Sequence, residues 1–208
     1  MYCFALLLVS LLATGTPACV SGSGEDIRTV TITAFVDEDD FNNSSRIETV
    51  KGAVALSSWV FQKEFRVAFE LREVTVWHYP TEQDKLDLDA ADLHFKLLAE
   101  NIDTDIVLAF TSKSMDRYAM AEIDGNWEET RQEVLGIASG SGSGRTAFVR
   151  ITEQVGFTTL HELLHLFGAS DVVGGFEETV MRYPTTSKID SKNTATVLAN
   201  RKRTFNKK

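Results

Sequence analysis

Cysteine is scarce in this sequence, in which Cys3 and Cys19 are the only two cysteines among 208 residues. Because Cys3 lies in a segment that we expect to be removed, a disulfide within the folded domain is excluded, and stability has to come from the core and from any bound metal. Basic residues are also few, with 21 Lys and Arg against 30 Asp and Glu. The resulting net charge of -9 argues against binding to nucleic acid.

Long apolar runs are absent apart from residues 4–13, FALLLVSLLA, which are too few to span a bilayer as a helix. This run leads into small residues up to Ala18, as in a signal peptide, although no Lys or Arg precedes it. A buried core element is the alternative. We predict a signal peptide over residues 1–18, a flexible tether over residues 19–26 and a single domain over residues 27–208.

The tether begins with Cys19, which is followed by the run VSGSG. A cysteine in this place resembles the acylated cysteine of a bacterial lipoprotein, although Thr16 stands where lipoproteins usually have Leu. Lipid anchoring at Cys19 and ordinary secretion are both open. We therefore expect an exported protein that is secreted, periplasmic or lipid-anchored at the cell surface, with no other membrane contact.

The periodicity of the chain predicts strands that alternate with helices. Residues 27–36 alternate β-branched and polar side chains as a strand does, and residues 105–110 form a continuous apolar run typical of a strand buried on both faces. Further predicted elements are a helix from Ser44 or Ser45 to about Phe61, a strand over 66–78, a helix over 86–101 and a C-terminal helix capped by Asp190 or Ser191. This order implies βαβ crossovers and a largely parallel sheet.

Three polar stretches separate these elements. Residues 37–40, DEDD, lack the ligand spacing of a calcium loop, so a solvated turn is favoured over a calcium site. Residues 111–132 show no clear period and are interpreted as a surface segment. Short strands over 134–138 and 146–151, joined by the run SGSGSG, indicate an antiparallel hairpin.

The sequence HELLHLFGASD, residues 161–171, places polar groups in an otherwise apolar helix. His161 and His165 are four residues apart, so they share one helix face, and a metal ion would compensate for their burial. Two such histidines suit a tetrahedral zinc site, with Glu162 between them as a base for water. Gly168 allows the left-handed turn that ends the helix, and Asp171 can then return as a third ligand. A pair of core histidines is the alternative.

The pattern H-E-x-x-H-x-x-G-x-x-D resembles the long zinc signature of the metzincin metalloendopeptidases, with Asp171 in place of the more common His, as in the snapalysin-like branch. Met181, in TVMRYP, resembles the residue of the Met-turn beneath the zinc of that clan. Tyr183 matches a tyrosine that reaches the zinc or the oxyanion in some members, and wall packing is its alternative. The resemblance implies an α+β, zincin-like fold with a mixed, mostly parallel twisted sheet, an antiparallel edge strand, covering helices, an active-site helix and a Met-turn.

Taken together, these features predict a zinc-dependent endopeptidase that is a monomer, with Zn2+ held by His161, His165 and Asp171 and with Glu162 as general base. The resemblance implies that a peptide or protein substrate binds as an extended strand, for which residues 134–138 are the candidate edge. Two other interpretations are open. One is a catalytically idle binding module of the same fold, and the other is a surface lipoprotein with a structural zinc site.

Overall fold

The computed structural model describes residues 26–79, 85–123, 126–139, 144–173, 178–182 and 184–205, with the backbone alone for 89, 118–123 and 126–131. The predicted signal peptide and all but the last residue of the predicted tether lie outside the described residues, as does Tyr183. No helix in the described part of the chain has both the length and the apolar character needed to cross a membrane.

Strands and helices alternate through the first half of the domain. The strands are β1 Arg28–Asp37, β2 Val67–Trp77, β3 Lys85–Asp87, β4 Ile106–Thr111, β5 Ser114–Ile123, β6 Asn126–Val134, β7 Gly136–Ala138 and β8 Thr146–Arg150. The helices are α1 Glu38–Phe41, α2 Ser44–Phe65, α3 Leu88–Ala99, α4 Val155–Leu166 and α5 Ser191–Asn200. Asn43, and not Ser44 or Ser45, caps α2, since its side chain accepts a hydrogen bond from the Ser45 amide at 3.1 Å. Asp190 caps α5 as predicted.

The main sheet has the strand order β2-β1-β4-β8-β7, in which the first four strands are parallel and β7 is antiparallel to β8. The prediction of a mostly parallel sheet with an antiparallel edge strand is therefore confirmed, and so is the hairpin of β7 and β8. A second sheet joins β3, β5 and β6. Its presence was not predicted.

Two apolar cores lie on the two faces of the main sheet, and β4 contributes to both. Ile106, Leu108 and Phe110 pack into the core beneath α2 and α4, while Val107 and Ala109 pack into the core beneath α3. All five side chains are fully buried. This alternation explains why the strand is a continuous apolar run, because each face of the pleat needs its own apolar residues. The prediction that β4 is buried on both faces is confirmed.

The acidic segment 37–40 is not the solvated turn that was predicted. Asp37 and Asp40 are only 2% and 5% exposed, and α1 begins directly after Asp37. Lys113 Nζ lies 3.3 Å from Asp37 Oδ2, and the Ser112 amide donates to Asp40 Oδ2 at 2.6 Å. The prediction was wrong because these partners come from the loop after β4, and buried carboxylates are tolerated when distant partners satisfy them.

Residues 111–132 are also more regular than predicted. Residues 115–123 of β5 pair in antiparallel register with residues 126–134 of β6. Hydrogen bonds between antiparallel strands form whatever the side chains are, so this pairing does not require apolar alternation. Regular structure was missed here because the pattern of β6, NWEETRQEV, has no apolar period to detect.

Candidate metal centre and catalytic cleft

Helix α4 positions the first site residues through an apolar anchor. Leu160, Leu163 and Leu164 are fully buried in the core that α4 shares with α2. His161 and His165 lie on the remaining face, and their side chains are 14% and 15% exposed. Because the leucines fix the rotation of the helix, the two imidazoles are held side by side, with ring centroids 4.6 Å apart.

The end of α4 orients His165. Gly168 has a φ of +91°, the Gly168 amide donates to the His165 carbonyl at 2.9 Å, and the Ala169 amide donates to the Leu164 carbonyl at 3.0 Å. This pair of bonds is a Schellman motif, in which glycine takes the left-handed position. The turn carries the Ala169 carbonyl back to His165, whose Nδ1 donates to it at 2.9 Å. The glycine expected to end the helix therefore also aims a histidine.

A second turn, formed by residues 179–182, orients His161. The Arg182 amide donates to the Thr179 carbonyl at 3.0 Å and closes the turn around Met181, which is fully buried in the core. His161 Nδ1 donates to the Val180 carbonyl at 2.8 Å. The Met181 carbonyl accepts from the Val172 amide at 3.0 Å, so the same turn ties down the segment that follows Asp171.

Three donor atoms converge on one point. His161 Nε2 and His165 Nε2 are 3.0 Å apart, and Asp171 Oδ1 lies 3.3 Å from the first and 3.4 Å from the second. Tetrahedral ligands bonded at about 2.0–2.1 Å would be about 3.3–3.4 Å from one another. The three residues also form the one group of at least three His, Cys, Asp or Glu side chains with metal-ligand spacing in the described part of the chain. The donor set fits a zinc ion.

The charges around the imidazoles favour a cation at this point. A carbonyl can only accept, so each Nδ1 carries the proton and each Nε2 turns a lone pair toward the other. Burial lowers the pKa of His161, but the hydrogen bond to Asp171 and the charge of Glu162 outweigh burial and raise it to about 9. The same contacts raise the pKa of His165 and lower that of Asp171. Without a metal ion, a proton on an imidazole supplies the positive charge that these contacts favour. A bound metal ion would displace that proton.

Glu162 projects into the same space from the core side. Its side chain is 4% exposed, its Oε1 lies 4.0 Å from His161 Nε2, and its Oε2 has no hydrogen-bond partner among the described residues. Burial raises the pKa of Glu162, although the imidazoles and a hydrogen bond with the Ala138 backbone act against it. A raised pKa suits a carboxylate that must accept and then return a proton.

Strand β7 lies so close to Glu162 that any side chain at Gly136 would displace the carboxylate or the strand. A Cβ on Gly136 would come within 2.5 Å of Glu162 Oε1. Gly136, Ile137 and Ala138 line an open cleft of about 340 Å³ together with the three candidate ligands and Glu162. The edge strand and the metal centre therefore belong to one cleft.

Sequence reasoning missed two residues of this cleft. Gly136 carries no motif, and only its contact with Glu162 reveals a role. Arg117 lines the cleft from β5 and is the one Lys or Arg among its described lining residues. No local signal could identify Arg117, because its strand was itself not predicted. His78 and His94 lie outside the cleft; His78 Nδ1 is 2.6 Å from Glu38, and the His94 ring contacts Tyr79.

The strand order and the helix-borne histidines define a mixed α+β fold of zincin-like type, and comparison with known structures agrees with it. No family model matches the sequence, and no curated protein matches it. The chain is similar to the crystal structure of archaemetzincin from Methanopyrus kandleri, with 18% identity over 84% of this chain and 97% of that one, at a TM-score of 0.56.

A similar likeness links the chain to a protein in the structure of a chaperone-substrate complex, with a TM-score of 0.57 and 15% identity. The match covers 84% of this chain but only 35% of that chain. At these identities the comparisons show the fold, which resembles that of archaemetzincin. The roles of the site residues rest on the geometry described above.

Proposed function

We propose that this protein is an exported zinc-dependent endopeptidase. The observation that carries the proposal is the convergence of His161, His165 and Asp171, whose donor atoms are 3.0–3.4 Å from one another, beside a buried carboxylate with an unpartnered oxygen. Three protein ligands leave a tetrahedral position open, as in catalytic rather than structural zinc sites. The likeness of the fold to that of archaemetzincin supports the same class.

His161, His165 and Asp171 would hold the ion, with both imidazoles oriented by backbone carbonyls. When bound, zinc supplies Lewis-acid chemistry, since it acidifies water and polarises a carbonyl. The carboxylate of Asp171 leaves a net charge near +1 on the centre, whereas three neutral histidines would leave +2. A zinc ion with this ligand set would therefore lower the pKa of a bound water less than one held by three histidines.

Glu162 is the general base in this proposal and then the general acid. Its carboxylate takes a proton from the attacking water and passes it to the leaving amine. The raised pKa of the buried side chain favours the second step, because a weaker acid holds its proton until the amine accepts it. Met181, which is fully buried in the core, acts as an apolar support for the site and not as a ligand.

The edge strand β7 provides the surface for the substrate backbone. It is the last strand in the sheet order and pairs with β8 on one side. Its residues line the cleft on the other side, where an extended peptide can add as a further strand. Backbone pairing of this kind suits an endopeptidase, because it recognises any extended segment and leaves selectivity to side-chain contacts.

We also propose that the enzyme is exported and acts outside the cytoplasm. The apolar run over 4–13 supports export, and Cys19 supports a lipid anchor beside free secretion. We propose a monomer that does not bind nucleic acid, in keeping with the net charge of -9. Mass spectrometry of the mature N-terminus distinguishes the two forms of export, because an acylated Cys19 adds the mass of its lipid.

The test of the function compares the wild type with Glu162→Gln, which keeps the shape of the side chain and removes its basicity. We expect one zinc ion per chain in both proteins, and cleavage of an unfolded protein substrate by the wild type alone. Zinc at unit stoichiometry without cleavage by either protein would favour the idle binding module. Absence of zinc from the wild type, when it is purified without chelators, would overturn the proposal.

A further inference from the structure

A cavity of about 200 Å³ lies at the end of the sheet where β1 and β2 begin. Its lining consists of Asp26, Arg28, Arg66, Val67, Arg201 and Lys202. Four of these six side chains are cationic and one is anionic, although the protein as a whole has a net charge of -9. The cavity is therefore a positively charged region of a protein whose net charge is negative.

Backbone contacts bring the four cations together from three parts of the chain. Arg28, the first residue of β1, donates its amide to the Arg66 carbonyl at 2.9 Å, and its guanidinium donates to the Arg201 carbonyl. Arg66 ends α2 in the left-handed conformation, with a φ of 59°. Arg201 and Lys202 follow α5 directly. The cavity is thus built by the fold and does not depend on a single flexible segment.

Arg28 and Arg203 lie close enough to repel each other. Burial lowers the pKa of Arg28 although the charge of Asp105 raises it, and both burial and the positive charge of Arg28 lower the pKa of Arg203. The two guanidinium groups lie near the same ring, 5.8 and 4.6 Å from the centre of Phe205. The side chains of Arg66 and Lys202 make no ion pair within the described part of the chain. An anion in the cavity would relieve this repulsion.

We propose that this cavity binds a phosphate group. Guanidinium groups offer paired N–H donors that match phosphate oxygens, and Lys202 adds a mobile ammonium group. The cavity is larger than a phosphate ion and is partly open, so the phosphate can be free or can belong to a phospholipid headgroup. Asp26 lines the cavity and is seven residues after Cys19, so a lipid anchor at Cys19 would bring the cavity close to a membrane.

The experiment titrates the zinc-loaded full chain with inorganic phosphate at constant ionic strength and measures the heat of binding. The variant Arg66→Gln/Lys202→Gln removes two lining charges, and Lys51→Gln/Lys192→Gln removes two exposed charges elsewhere as the control. We expect phosphate affinity to fall by about tenfold or more in the first variant, because charge-assisted contacts are lost. We expect it to change less than about twofold in the control, because the effect of distant surface charges is screened by salt.

Equal phosphate affinity in the wild type and both variants would overturn the proposal. It would mean that phosphate binds elsewhere, for example at the zinc ion, where the substitutions do not change its affinity. If the double variant is unstable, Lys202→Gln alone provides the same comparison with Lys192→Gln. The source of the phosphate is decided with Cys19→Ser protein, which has no acyl chain. The site binds a headgroup if this protein sediments with vesicles of phosphatidylglycerol but not of phosphatidylcholine, and if Arg66→Gln/Lys202→Gln abolishes the sedimentation. No sedimentation together with saturable phosphate binding identifies a soluble ligand.

Discussion

Gly136→Ala is the substitution that tests most directly how β7 and the Glu162 carboxylate depend on each other. The added Cβ would lie 2.5, 2.8 and 2.9 Å from Oε1, Cγ and Cδ of Glu162. Ordinary contacts of this kind are close to 3.4 Å or longer, so the carboxylate or the strand has to move by about 1 Å. A displacement of about 1 Å from the productive geometry can reduce the rate by about a hundredfold.

The assay measures kcat/KM on a fluorogenic peptide and the zinc content of the same preparations. We expect kcat/KM to fall by about a hundredfold while zinc stays at unit stoichiometry, because the three atoms nearest the added Cβ belong to Glu162 and not to a candidate ligand. Gly52→Ala is the matched control, since a Cβ at that position in α2 meets nothing within 4 Å. Full activity of Gly136→Ala would refute the idea that the strand sets the position of Glu162. Loss of zinc along with activity would show a collapse of the site instead.

Three further predictions follow from the site. Gly168→Ala forces a side chain into a left-handed position with Asn200 Nδ2 only 2.7 Å away, and should lower the free energy of unfolding by about 1–3 kcal/mol in chemical denaturation. In the metal-free protein, the pKa of His161 near 9 lies above its unfolded value of 6.5, so the stabilisation is complete below pH 6.5 and is lost as pH rises through 9. The upper bound of this stabilisation is roughly 3.4 kcal/mol, measurable from denaturation midpoints across that range. Arg117→Glu should lower kcat/KM for peptides with acidic residues beside the cleaved bond and raise it for basic ones, in a matched peptide pair.

Each of these predictions has a result that contradicts it. Unchanged stability of Gly168→Ala would mean that the turn after α4 can relax without cost. A flat profile between pH 6.5 and 9 in metal-free protein would show that His161 does not hold a proton against Asp171. Equal loss of activity on both peptides in Arg117→Glu would assign that arginine a structural role.

The elements that could be predicted from the sequence are those whose burial shows in their own residue types. β4 and α4 are buried by the layers that cover them, and their sequences are therefore largely apolar over consecutive residues. The candidate ligands were predictable for a related reason. His161 and His165 are one helical turn apart, and Gly168 ends the helix in a left-handed turn after which Asp171 can return to them.

The parts that were not predictable depend on partners distant in the sequence. Asp37 is buried because Lys113 reaches it, and no feature of residues 37–40 shows this. Arg117 lines the cleft because β5 pairs with β6 and carries it there, and the sequence of β6 has no apolar period that predicts a strand. Gly136 matters because Glu162 lies against it. Contacts of this kind are decided by the tertiary fold and leave no local pattern.

The hydrogen bonds that aim the two histidines have a consequence for how the site can persist. Both acceptors are main-chain carbonyls, those of Val180 and Ala169. A carbonyl belongs to every residue type, so replacing either side chain leaves the acceptor in place as long as the turn is kept. Substitutions at Val180 or Ala169 can therefore alter the packing of the core while the hydrogen bond that orients each histidine remains.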